Sequence, residues 1–259
     1  MSEKLTVSMV QTTLTWENKE ENLSRFEHLV STQTKGTTDL YLFPEMFSTG
    51  FTMHPDGLEE NMEGPTVSWM RRISKMYEVA CGGSVIIEDS GKKFNRFIMT
   101  EPEGGLHYYD KRHLFSLAGE EKSYTSGHKN FLWEIKGWRI RPLICYDLRF
   151  PVWSRNVDSF DILIYVANWP AKRNQAWKKL LSARAIENQC YVVGVNRLGQ
   201  DPNGNLYSGE SVVHDFEGSV LQTANSEEGI FSQVLSLSSL EQFRHDYNFL
   251  KDGDNFIMI

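Results

Sequence analysis

A chain of 259 residues that is 40% hydrophobic can bury a large core, so one mixed α/β domain over 1–259 is the expected organisation. With 27 Lys+Arg against 34 Asp+Glu the net charge is −7, which argues against duplex nucleic acid or an anionic membrane as the main partner. No basic-then-apolar leader, no span-length apolar run and only three cysteines without CxxC spacing point to a chain working in a reducing cytoplasm.

Residues 5–11 alternate Leu5, Val7 and Met9 with Thr6 and Ser8, which predicts a strand. Residues 18–34 carry Leu23, Phe26, Leu29 and Val30 at helical spacing. A short apolar strand over 40–43 is stopped by Pro44, and a helix over 65–77 opens on Pro65. Strands follow at 84–88, 94–100 and 107–110, with glycine-containing turns between them.

The second half repeats the scheme. It reads as a strand over 139–145, a short helix over 152–156, a strand over 162–166 and a helix over 175–188 that turns Trp177, Leu180, Leu181 and Ala185 inward. Strands at 191–196, 211–215, 220–223 and 230–234 complete it. Alternating strands and helices imply crossover connections, and so many short strands suit two packed sheets covered by helices. The aromatic, acidic segment from 240 to 259 has no clear period and is expected to be a tail that packs on a second subunit of a homodimer.

Free cysteine is among the most buried residue types, so each of the three reads first as a small core residue. Cys81 and Cys190 fit that reading, beside apolar strands. Cys145 differs: it ends the run Pro142-Leu143-Ile144 and is followed at once by the polar Tyr146-Asp147. In α/β folds ligands bind beyond the carboxyl ends of strands, so a thiol there is placed for attack. Glu45 stands at a similar strand end, after Pro44 and before Met46-Phe47, where desolvation can tune it for proton transfer. Lys111 ends a third strand; a nearby cation eases thiol ionisation and can hold a developing oxyanion. A cysteine–histidine–asparagine set, as in papain-like proteases, would instead recruit His113 and Asn168, but the residues around Cys145 lack that family's signature. The seven histidines show no paired ligand spacing and no GxGxxG or GxxxxGK occurs, so neither metal nor nucleotide cofactor is expected.

These segments resemble the nitrilase superfamily of carbon–nitrogen hydrolases, whose catalytic group is Glu–Lys–Cys. The matching stretches are LYLFPEMFSTGF around Glu45, YYDKRHLF around Lys111, LICYDLRFP around Cys145, YVANWP (165–170) and ARAIENQCYVVGVNR (183–197). The resemblance implies a four-layer α-β-β-α sandwich that often dimerises. It also implies a second glutamate between lysine and cysteine, for which Glu120 is favoured over Glu121, and an oxyanion-binding backbone N–H on Tyr146. CYDLRFP with FPEMFSTGF is most similar to the omega-amidase branch, which hydrolyses the terminal amide of 2-oxoglutaramate. Phe47, Phe51, Tyr146 and Trp169 are the expected pocket walls, and Arg149 and Arg173 the cations nearest to a substrate carboxylate; a salt bridge from Arg149 to Asp147 or another acid that holds the loop is at least an equal expectation. The rival readings are a nitrilase, an N-carbamoyl amidohydrolase and a catalytically idle binding subunit.

Overall fold

The structure is a computed structural model that describes residues 2–254 and Phe256. Its first half runs β1 (Lys4–Gln11), α1 (Lys19–Ser31), β2 (Leu40–Leu42), α2 (Pro65–Tyr77), β3 (Ala80–Asp89), β4 (Lys92–Thr100), β5 (Leu106–Asp110) and the single turn α3 (Glu120–Ser123). The second runs β6 (Trp133–Ile135), β7 (Trp138–Ile144), β8 (Ile162–Val166), α4 (Asn174–Asn188) and β9 (Tyr191–Val195). After these come β10 (Leu198–Gln200), β11 (Leu206–Ser208), β12 (Val212–His214), β13 (Val220–Thr223), β14 (Gly229–Ser236) and α5 (Leu237–Asp246).

Two six-stranded sheets result, ordered β14-β1-β2-β3-β4-β5 and β13-β12-β9-β8-β7-β6, with β10 and β11 as a separate ribbon. Each has three parallel strands at its centre, β1-β2-β3 in one and β7-β8-β9 in the other, flanked by antiparallel neighbours. Parallel neighbours need long crossovers, which α1, α2 and α4 supply for three of the four pairs and the segment 145–161 supplies between β7 and β8. Phe26 and Val30 of α1 and Val67, Met70 and Ile73 of α2 pack on Tyr41, Val85 and Ile87 of the first sheet. A larger cluster joins Val7, Met9, Leu42 and Phe97 of that sheet to Ile140, Tyr165 and Val193 of the second, and continues to Trp177 and Leu181 of α4. The architecture is the expected four-layer α-β-β-α sandwich. No helix among the described residues is long and apolar enough to cross a membrane.

Two expectations fail locally. Residues 152–156 form no helix, because the Asn156 amide bonds instead to the backbone of Phe160 and to the Asn188 carbonyl, folding the segment into a loop. The helical turn in this region lies earlier, over Cys145–Arg149. The carboxyl-terminal segment is not patternless. Ser236 caps α5 by accepting the Ser239 N–H, Leu237 and Leu240 are buried, and Arg244 donates to Asp161 at 2.8 Å and to the Gln189 carbonyl at 2.8 Å. That helix therefore docks on its own chain; residues 255 and 257–259 of the expected tail lie outside the described residues.

Helix α4 approaches β9 closely at Gly194, where an added Cβ would stand 2.5 Å from Leu181 Cδ1 and 2.8 Å from Trp177 Cζ2. Gly194→Ala should therefore lower the unfolding free energy by about 1–3 kcal/mol, read as a lower denaturant midpoint with an unchanged slope. Stability equal to the parent would contradict this packing.

Candidate active site

The carboxyl ends of strands from both sheets meet at one place. Beyond β2, Pro44 ends the pairing, Glu45 follows, and Met46 turns with φ 43° while its N–H donates to Ser84 Oγ at 2.8 Å. Lys111 directly follows β5, its own N–H bonded to the Asn95 carbonyl on β4. Gly127 closes over that strand end, its N–H on the Lys111 carbonyl at 2.8 Å; a Cβ there would meet the Asp110 carbonyl oxygen at 2.1 Å, so only glycine fits. Cys145 follows β7 in a left-handed conformation, φ 43°, which swings its side chain out of the strand path.

These turns assemble a closed cluster of charge. Glu45, Lys111 and Glu120 are each fully buried. Lys111 Nζ donates to Glu45 Oε1 at 2.8 Å and to Glu120 Oε1 and Oε2 at 2.9 and 2.8 Å. The Asn95 amide donates to both carboxylates, at 2.8 Å to Glu45 and 3.2 Å to Glu120. Backbone N–H groups complete the set, from Asn168 to Glu45 Oε2 at 2.8 Å and from Phe115 to Glu120 Oε2 at 2.5 Å. The structure thus brings Glu120 to Lys111 and leaves Glu121 exposed.

Burial works against the Lys111 ammonium, but Glu120 and Glu45 outweigh it and hold its pKa above the ordinary lysine value. Burial raises the Glu120 pKa, Lys111 opposes that rise and Glu45 adds to it. The Cys145 thiol is pushed well above the usual range by burial first and then by Glu45, with Lys111 opposing; a hydrogen bond from the thiol to Glu45 acts in the same upward direction. The resting group is a neutral thiol beside a carboxylate, an arrangement suited to general-base activation.

Asp147 ties two of the strand ends together. Buried within the turn after Cys145, its Oδ2 accepts from the Ile144 N–H at 3.0 Å and the Tyr109 hydroxyl at 2.8 Å, and its Oδ1 from the His113 N–H at 3.0 Å. The His113 ring also contacts Asp147 at 2.8 Å and stacks on Phe150 at 3.7 Å. His113 is thereby engaged away from the thiol, and Asn168 sits against Glu45, so the cysteine–histidine–asparagine set does not assemble. The expected salt bridge from Arg149 to Asp147 or another acid is absent among the described residues: Arg149 lies over the Trp169 ring at 5.1 Å instead.

Cys145 opens onto a cavity of about 620 Å³ whose lining includes Phe51, Tyr146, Arg149, Asn168, Trp169 and Arg173. Phe47 is not there. Its ring points to the opposite side of the first sheet, stacked on Phe43 at 5.0 Å and edge-on to Phe26 of α1 at 5.3 Å, because Glu45 and Phe47 leave the left-handed turn at Met46 in different directions. Residue reading missed Asn95 as part of the cluster, although a buried amide inside the apolar strand FNRFIM was the available signal. It also missed Asp147 as the tie between strand ends.

With this geometry in view, the comparisons are consistent. Residues 6–245 match the carbon-nitrogen hydrolase family model, and the chain belongs to that family of amide-hydrolysing enzymes. It is 40% identical over 255 residues to omega-amidase YafV of Escherichia coli K12, covering 97% of this chain and 98% of that one. It is 32% identical over 246 residues to 2-oxoglutaramate amidase of Bacillus subtilis, covering 93% and 94%. Among solved structures, a CN-hydrolase superfamily protein of Xanthomonas campestris with an arsenic adduct in its active site superposes with a TM-score of 0.97 at 39% identity over the whole of both chains.

The charge balance can be read directly from the thiol. Glu45→Gln removes an anion that raises the Cys145 pKa, so its thiolate ultraviolet absorbance should appear at lower pH than in the parent. Lys111→Met removes the opposing cation and should move the same titration upward. Unchanged titration in both variants would contradict the arrangement.

Proposed function

We propose that the chain is an omega-amidase that hydrolyses the terminal amide of a small dicarboxylic monoamide, such as 2-oxoglutaramate, to the acid and ammonia through a thioester on Cys145. The observation that carries this reading is the half-buried thiol set against the closed Glu45–Lys111–Glu120 cluster at a cavity that also presents arginines.

Glu45 takes the thiol proton as Cys145 attacks the amide carbon. Lys111 and the Tyr146 N–H hold the tetrahedral oxyanion, where one such donor contributes about 3 kcal/mol. Glu45 then gives the proton to the departing nitrogen, and ammonia leaves. Water cleaves the thioester with Glu45 again as base, while Glu120 fixes Lys111 in place. Phe51 and Trp169 wall the substrate, with the Lys111 ammonium 5.0 Å above the Phe51 ring. Arg149 on Trp169 and Arg173, 5.0 Å over the Phe115 ring, enter no ion pair with an acid among the described residues, which leaves both for a substrate carboxylate. The same reading has the chain working as a homodimer in a reducing cytoplasm, with exposed Tyr247 and Phe249 at the contact.

A binding subunit without activity would gain nothing from three buried charges, whose desolvation is costly. Ammonia release should be fastest with 2-oxoglutaramate in a panel that includes glutamine, a nitrile and an N-carbamoyl amino acid. Cys145→Ala should lower that rate at least about 10⁴-fold without changing the unfolding midpoint. Preference for the nitrile or the carbamoyl compound would overturn the substrate assignment, and an active alanine variant would overturn the thioester.

A further inference from the structure

Of the described residues lining the cavity, Asn168 alone has a buried side-chain atom without a hydrogen-bond partner, its Oδ1. The residue is 4% exposed, so its polar atoms have little access to bulk water. The side-chain nitrogen and the backbone N–H of the residue are committed. Nδ2 donates to the Glu45 carbonyl at 2.6 Å, and the backbone N–H donates to Glu45 Oε2 at 2.8 Å. The amide cannot be turned to exchange these roles, because a carbonyl oxygen requires the nitrogen opposite it. Oδ1 is therefore an acceptor held in a fixed orientation, on a residue that is bonded to Glu45 and lines the cavity onto which Cys145 opens. Buried acceptors in native proteins are seldom left unmet, which points to a donor that arrives with the substrate.

We infer that Asn168 is a specificity-determining residue whose Oδ1 accepts an N–H of the substrate's primary carboxamide and of the ammonia formed from it. The inference rests on the amidase reading above and deepens it. The two sides of the scissile carbon face different partners. Its oxygen turns to Lys111, and its nitrogen must lie by Glu45, which protonates it. Glu45 is bonded to Asn168 along both its side chain and its carbonyl, so the departing nitrogen stands next to Oδ1. As the Cys145 sulfur–carbon bond forms and the carbon–nitrogen bond breaks, the nitrogen takes one proton from Glu45 and leaves as neutral ammonia. A further N–H on that nitrogen has Oδ1 as its acceptor. An ester of the same acid has no N–H to give, and meets Oδ1 with a second lone-pair atom. Asn168 thus selects amide over ester, in the way that a site built for a donor rejects an analogue lacking it.

The test compares kcat/KM for the primary amide and for the methyl ester of the same acid in the parent and in Asn168→Ala, per Cys145 thiol titrated with iodoacetamide. The amide-to-ester ratio should fall at least about tenfold in the variant, the scale of one lost hydrogen bond in a dry site. A residue that only supports Glu45 would lower both substrates alike and leave the ratio unchanged, which would overturn the assignment. If Asn168→Ala does not fold, Asn168→Ser is read by the same ratio and the same criterion. Failure of the parent to release ammonia from any amide would overturn the amidase reading and this inference together; an unchanged ratio with an active parent would overturn Asn168 alone.

Discussion

A lysine ammonium shut between two carboxylates, with none of the three exposed, is the arrangement on which the rest of the site depends. Taking isolated ions out of water costs far more than a fold of this size can spare, so each must arrive with its partner and its hydrogen bonds. Glu45 and Lys111 come from two strand-end turns and Glu120 from the start of α3, and Asn95 and two backbone N–H groups add hydrogen bonds to the carboxylate oxygens. Two anions and one cation leave an excess negative charge beside Cys145. That excess, added to burial, keeps the thiol protonated and makes a carboxylate base necessary. A lysine paired with the thiol alone would favour a preformed thiolate; this cluster does the opposite.

The second constraint is relative position. The catalytic turns belong to different sheets, and the sheets meet through apolar packing that does not by itself fix their edges to fractions of an ångström. Asp147 supplies polar contacts across that gap, holding Ile144 on one side and Tyr109 and His113 on the other. Tyr109 in turn accepts from Trp153 at 2.9 Å, which extends the tie into the loop after Cys145. Asn168 performs a similar service between β8 and the Glu45 turn.

Much of this was legible in the residues, for identifiable reasons. Strand periods, the breaker Pro44 and the polar run after Cys145 report local backbone preference, and local preference places strand ends. The alternation of strands with helices was enough for two covered sheets. What the pattern could not carry was direction. Phe47 lies two residues from Glu45 and looked equally suited to the pocket, yet the left-handed turn at Met46 sends it into the helix-side core. The choice between Glu120 and Glu121 likewise depended on a single turn of α3, too short for any periodicity. The long-range bonds of Asn95 and Asp147 span 25 to 50 residues of sequence, from Asn95–Glu120 outward to Asn95–Glu45, contacts that only the folded sheets create.

The central claim is that turnover passes through a thioester on Cys145. Rapid acid quenching of the enzyme during hydrolysis of 2-oxoglutaramate, followed by mass analysis of its peptides, addresses it directly. The account predicts a peptide containing Cys145 that is heavier by the acyl group, with Cys81 and Cys190 unmodified. Turnover without an adduct under conditions that trap thioesters, or an adduct on either buried cysteine, would contradict it.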